Sequence, residues 1–331
     1  MSEAHAMAEL WRGGRLESWH AGHAVICDGA GAVVEAWGDP AAVIFPRSSC
    51  KMIQALPLLE SGAAEAAGLS DRQLALACAS HQGAKIHTGM VEAWLAGLGL
   101  SDDALRCGAH WPSDIEARDG LIRSFATPCQ KHNNCSGKHS GFLTLAKHLG
   151  AGPEYVEIGH PVQQAVRAAF EEVTGESSPG HGIDGCSAPN FATTVTGLAR
   201  AMAAFAAADE TDTRSRAMVR LRNAMASHPE LVAGEGRACT ELMRAMGGRV
   251  AIKTGAEAVF VAIVPEKRIG IALKIVDGGT RAAELAIAAL LVRAGVLDKD
   301  HPATRKRLDA VQTNWRGIET GLLRAAPGFP G

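Results

Sequence analysis

The sequence predicts a mixed α/β (α+β) protein: a five-stranded antiparallel sheet flanked by helices, with a largely helical second lobe. Three observations carry the expectation. Two β-leaning segments near the start are separated by a glycine-rich turn, the long middle reads almost throughout as helix, and a strand meander with a closing helix follows it.

At the start, Gly22 to Cys27 and Ala32 to Ala36 flank Asp28-Gly29-Ala30-Gly31, which is a hairpin signal. From Ser48 onward the stretch FPRSSCKMIQALPLLESG turns helical, with Met52, Leu56 and Leu59 following Lys51 on adjacent turns. Pro57 is expected to kink or shorten that helix. Helical character then dominates from Asp71 to about Met246, in LSDRQLALACAS, MVEAWLAGLGL, HPVQQAVRAAFEEVTG and TVTGLARAMAAFAAA. RVAIKTGA, AVFVAIVPEKR and IGIALKIVDGG read as three strands, and RAAELAIAALLVRAGVL as an amphipathic helix. Pairing the two early strands with the three late ones gives the sheet. The expectation is one domain over residues 1–331, with a sheet lobe from about 20–47 plus 247–331 and a helical lobe at about 48–246.

Composition narrows the function. Lys plus Arg number 33 against 35 Asp plus Glu, a formal charge of -2, and no basic block is long enough to track a phosphate backbone. Nucleic acid is not an expected partner. The N-terminal segment lacks a signal pattern, and the late apolar run Leu285 to Val292 is too short to span a bilayer, so a cytoplasmic protein without membrane partners is expected. The eight cysteines are spread through the chain, which fits buried thiols, metal ligands or reactive groups rather than a disulfide framework.

The motifs that bear chemistry begin at Ser48, which precedes Lys51 by one helical turn. Either a serine here caps the helix, or a lysine that has lost its proton activates a serine hydroxyl. The company of this S-x-x-K string favours catalysis. Class A β-lactamases and penicillin-binding proteins join S-x-x-K to a middle-lobe serine element and a K-T-G on a strand. Here Lys253-Thr254-Gly255 ends a predicted strand, and Ser80-His81-Gln82-Gly83 follows a predicted helix. The implied chemistry is acyl transfer: Ser48, or Ser80 by relay, attacks a carbonyl, Lys51 and Lys253 supply base and cation, and backbone amides hold the oxyanion. Arg47 is either a clamp on a substrate carboxylate or a surface charge.

CQKHNNCSGKHSGF and HGIDGCSAPN contain soft and borderline zinc ligands in two competing sets. One is local, Cys129, His132, Cys135 and His139; the other joins Cys135 to Cys186. Asp184, a carboxylate between Gly182 and Gly185, fits a partner for the amino group of a small substrate or a carboxylate that orients a base.

PRSSCKMIQALPL, ACASHQGAKIHTGMVEAWLAGLGL, HNNCSGKHSGFL, GIDGCSAPNFA and KTGAEAVF together resemble the class 3, or rhizobial-type, L-asparaginases, from about His23 to Gly295. The resemblance implies a fold similar to serine β-lactamases and penicillin-binding proteins, and hydrolysis of L-asparagine to L-aspartate and ammonia. It implies two Ser/Lys pairs, Ser48 with Lys51 and Ser80 with Lys253. It also implies one zinc ion held by Cys135, Lys138, Cys186 and water, His139 and Asp184 beside the substrate, and a homodimer. A lysine ligand must be neutral, so zinc would have to displace its proton, and its expected role is structural or substrate-orienting. Asparaginase designs built on an N-terminal T-G-G-T turn are not matched: the nearest string, Asp277-Gly278-Gly279-Thr280, lies late and begins with Asp. The alternatives are a penicillin-recognising serine hydrolase and a non-catalytic zinc- or amino-acid-binding protein.

Overall fold

A computed structural model describes residues 3–330. It divides into two compact units, one comprising residues up to Ser49, Thr193–Ala207 and everything from Glu241, the other Cys50–Ala192 and Ala208–Thr240.

The first unit is built on an antiparallel sheet. Its strand order is Ala310–Thr313, Glu319–Ala325, His5–Arg12, Arg15–Asp28, Ile269–Ile275, Val259–Val264 and Ala251–Thr254, with Val33–Trp37 pairing on Arg15–Asp28 off that path. The sheet therefore has eight strands, not the five expected. The predicted early hairpin is present as Arg15–Asp28 with Val33–Trp37, and the meander as Ala251–Thr254, Val259–Val264 and Ile269–Ile275. The additional strands are His5–Arg12 and the Ala310–Thr313/Glu319–Ala325 pair, joined by registers such as Leu10 opposite Leu323. Their sequences alternate weakly because this end of the sheet is only partly buried.

Val259–Val264 is buried at every position, as expected of a strand covered on both faces. The Val195–Ala207 helix packs on this sheet with almost no gap: a Cβ on Gly270 would lie 2.0 Å from the Ala203 nitrogen and 2.4 Å from the Ala199 carbonyl. Glycine lets the helix backbone rest on the strand. The Thr280–Arg293 helix buries Leu285, Ile287, Leu290 and Leu291 within the same unit. Each such side chain taken out of water contributes about 1.5–3 kcal/mol.

The second unit is helical. The predicted helix after Ser48 is broken into Lys51–Gln54 and Leu56–Glu60, because Pro57 cannot continue the hydrogen-bond ladder and occupies an early position of the second piece. At the centre of this unit stands Ser136–His148, buried from Ser136 through Ala146. A helix buried all round must let neighbours approach closely. Gly137 permits this, since a Cβ there would sit 2.3 Å from the Leu76 carbonyl at the end of the Asp71–Ala77 helix. Among the described residues, no helix is long and apolar enough to cross a membrane.

Candidate active site

Ser48 and Ser49 lie on a 3-10 turn, Arg47–Cys50, and neither caps the helix that follows. The position before that helix is Cys50, which makes no side-chain cap, and the Ser49 hydroxyl donates to the Pro46 carbonyl at 2.7 Å. Ser48 is half-buried. Arg47 holds a left-handed backbone with φ 54°, rare for a side chain of this size.

The strand Ala251–Thr254 brings Lys253 into the same unit as Ser48. Lys253 is buried, and its Nζ donates to the Thr254 carbonyl at 2.7 Å. Gly255 packs against the serine turn: a Cβ there would meet the Pro46 carbonyl at 2.6 Å and the Ser49 nitrogen at 3.1 Å. A bare glycine is thus what allows the K-T-G strand end and the Arg47–Cys50 turn to touch.

In the second unit, Lys51 is 1 % exposed and its amine is surrounded by acceptors. Nζ lies 3.1 Å from Ser80 Oγ and 3.1 Å from Cys135 Sγ, and also donates to the Ala79 carbonyl. Ser80 stands on the loop after the Asp71–Ala77 helix, where its backbone N–H donates to the Val232 carbonyl at 2.9 Å. The next residue is tied likewise, His81 N–H to the Asn134 carbonyl at 3.1 Å. Lys51 and Ser80 are therefore a directly bonded amine and hydroxyl, although 29 residues separate them.

Cys135 begins the Ser136–His148 helix, and Lys138 follows one turn later on it. Cys186 comes from the loop after the His181–Ile183 strand, closed by a hydrogen bond from Ser187 N–H to the Asp184 carbonyl at 2.8 Å. Ser187 takes the left-handed conformation with φ 69°. The three groups meet, with Lys138 Nζ 3.0 Å from Cys186 Sγ and the two sulfurs hydrogen-bonded to each other. Cys135 and Cys186 share one proton. The bond from Cys135, with the Lys138 charge, holds Cys186 as the thiolate, whereas that same bond and burial push Cys135 up to about 12. Burial opposes the charge on Lys138, but Cys186 and Cys135 outweigh it and raise its amine above the ordinary range.

Two buried sulfurs hydrogen-bonded to each other, with a buried amine on one of them, are a chemically suitable donor set for zinc, which would replace the protons they share. The alternative local set is not assembled. Cys129 Sγ pairs with His132 Nδ1 at 3.3 Å, and among the described residues no three His, Cys, Asp or Glu side chains gather as a metal site.

Asp184 is half-buried and contributes to the charge balance at Lys138. His139 is fully buried, and burial keeps it well below the usual histidine range, hence neutral. Its Nδ1 lies 2.8 Å from the Tyr155 hydroxyl, which itself accepts the Arg106 N–H at 2.7 Å. The phenol therefore points its proton at Nδ1, so the ring proton resides on Nε2, which has no partner among the described residues. Tyr155 was not singled out by sequence reasoning. Its one available signal is that it is the only tyrosine in the chain. His81 was noted only as a neighbour of Ser80, and its bond to Ser136 joins segments 55 residues apart.

Comparison with known proteins places this geometry in context. The family model described as L-asparaginase II matches residues 8–325. Similar solved structures include a β-lactamase from Mycobacterium bovis, 15% identical, with 83% of this chain and 95% of that chain covered and a TM-score of 0.48. The structure of Mglu in its tris and glutamate form is 13% identical over 85% of this chain and 60% of that chain, TM-score 0.49. An octameric penicillin-binding protein homologue from Pyrococcus abyssi is 13% identical over 93% and 84%, TM-score 0.39. No curated protein sequence matches significantly.

Proposed function

The chain belongs to the L-asparaginase II family, an amidohydrolase family acting on asparagine, and from that premise we propose that it hydrolyses L-asparagine to L-aspartate and ammonia by serine/lysine nucleophilic catalysis. The observation that carries the proposal is the buried Lys51 amine at 3.1 Å from the Ser80 hydroxyl. A serine hydroxyl needs a base to become a nucleophile, and an adjacent amine in its neutral form is such a base.

In this reading a serine Oγ attacks the side-chain amide carbon while lysine takes its proton. The C–N bond breaks as that proton passes to the leaving nitrogen, releasing ammonia. Water, giving a proton to the lysine, then attacks the ester carbon; the C–Oγ bond breaks, Oγ takes the proton back from the lysine, and aspartate leaves. Lys51 with Ser80, and Ser48 and Lys253 as the resemblance implies, make up the nucleophile and base system. Arg47 binds the α-carboxylate, Asp184 the α-amino group, and the His139 Nε2–H a substrate acceptor atom; that this buried donor has no partner among the described residues supports the role. Cys135, Lys138 and Cys186 would hold one zinc ion. When bound, the metal supplies a fixed charge that orders the Cys186 loop and orients substrate. The working protein is proposed to be a cytoplasmic homodimer.

The test is ammonia release by purified protein given L-asparagine, repeated with Ser48→Ala, Ser80→Ala and Lys51→Ala. Turnover is expected in the parent and to be lost in the variants. Undiminished turnover in Ser48→Ala removes that serine from the machinery, and an acyl adduct trapped on Ser48 or Ser80 assigns the nucleophile.

A further inference from the structure

Behind Ser80 lies a hydrogen-bond chain that the chemistry above does not use. His81 is 1 % exposed, and both ring nitrogens are committed. Nδ1 accepts the Gly83 N–H at 3.1 Å, so the ring proton sits on Nε2 and is donated to Ser136 Oγ at 2.9 Å. Ser136 in turn donates its hydroxyl proton to the Lys131 carbonyl at 3.0 Å. Every donor in the chain has its acceptor, which fixes the tautomer and the ring plane together.

The two elements joined are the Ser80 loop and the first turn of the helix that carries Lys138, with Cys135 at its start. Lys51 touches the same two elements, through Ser80 Oγ and Cys135 Sγ. A second imidazole, His87, stacks on His81 with ring centroids 4.8 Å apart and planes within 9°. His87 is fully buried, donates Nε2–H to the Glu230 carbonyl at 2.8 Å, and leaves Nδ1 without a partner among the described residues. An orphaned buried acceptor is costly. The face-to-face packing of His87 against His81 adds a second constraint on the His81 ring plane.

We propose that His81, backed by His87, is a positioning residue for Ser80: it locks the serine loop to the start of the Ser136–His148 helix so that the Ser80 hydroxyl stays in register with Lys51. The inference rests on the serine/lysine reading of the site. It concerns how the hydroxyl is held rather than any proton transfer by His81.

The experiment compares His81→Leu, which removes both hydrogen bonds, with His81→Gln, which can supply an acceptor and a donor, and with Ser136→Ala. Steady-state ammonia release and thermal melting are measured on each. His81→Leu is expected to lower kcat by about 30-fold or more with KM within about threefold, as small misplacements of reacting groups do. His81→Gln should recover most of that loss, and Ser136→Ala, which leaves the His81 Nε2–H unpaired, should lower kcat in a protein that still folds, with a modest fall in the melting temperature. A folded His81→Leu with parental kcat overturns the proposal, as does a loss that His81→Gln does not relieve. If His81→Leu does not fold, Ser136→Ala decides alone, and unchanged kcat there overturns it. Ser80→Ala run in parallel separates the two claims: full turnover in that variant refutes the serine/lysine reading itself, whatever His81 does.

Discussion

Replacing Lys51 by methionine separates catalysis from stability at the centre of the site. Methionine keeps the unbranched stem in its buried slot but removes the amine that faces Ser80 Oγ, Cys135 Sγ and the Ala79 carbonyl. Stability then moves in two directions. The buried Ala79 carbonyl and the two side-chain acceptors lose a donor, at about 1–3 kcal/mol for a group left unpaired, while removal of a buried amine offsets part of that loss. A net cost of about 1–3 kcal/mol corresponds, for a chain of this length, to a fall of about 2–4 °C in the melting midpoint. Loss of the general base acts on the barrier alone and is worth about 10²–10⁴ in kcat, or about 2.7–5.5 kcal/mol. Ammonia release from L-asparagine and a thermal melt on the same preparation read the two effects independently. A folded Lys51→Met protein releasing ammonia within threefold of the parent would refute Lys51 as the base.

Three further outcomes are expected. Burial holds His81 and His87 below the ordinary histidine value of 6.5, so the unfolded chain binds protons that the folded one refuses; stability should be complete above about pH 6.5 and fall as pH drops below it. Urea midpoints measured between pH 7 and pH 5 test this, and a flat profile contradicts it. Gly270→Ala forces a Cβ to within 2.0 Å of the Ala203 nitrogen and should destabilise the protein by at least about 2 kcal/mol, read as a lower denaturation midpoint; an unchanged midpoint would show that the strand and helix are not in this contact. Protein produced with zinc should carry about one ion per chain by elemental analysis, and Cys186→Ser should lose most of it, since thiolate is the stronger zinc ligand; full retention rules Cys186 out as a ligand.

The legible parts of the fold were those whose signal is local and strong. Val259–Val264 and Ile269–Ile275 are continuous apolar runs, and the Thr280–Arg293 helix follows them with clear periodicity, so these elements announce themselves. His5–Arg12 and Glu319–Ala325 did not, because on a half-solvated end of a sheet tryptophan, arginine and glutamate alternate with few core residues. Their strand character comes from pairing with each other, as in Leu10 with Leu323. The break before Pro57 follows from backbone chemistry alone, whereas the 3-10 turn over Arg47–Cys50 has no such local signal.

The chemical inventory is legible in the chain alone, as is everything settled within a turn of helix or the end of a strand: Ser48 three residues before Lys51, Cys135 three before Lys138, and a glycine closing the Lys253 strand. Which of these groups touch is a matter of packing. Lys51 reaches Ser80 across 29 residues and Cys135 across 84, Lys138 reaches Cys186 across 48, and Tyr155 sets the ring proton of His139 across 16. Propensity and periodicity report interactions between chain neighbours. Contacts at these separations exist only once buried helices, admitted by residues such as Gly137, have packed closely enough to bring their side chains together.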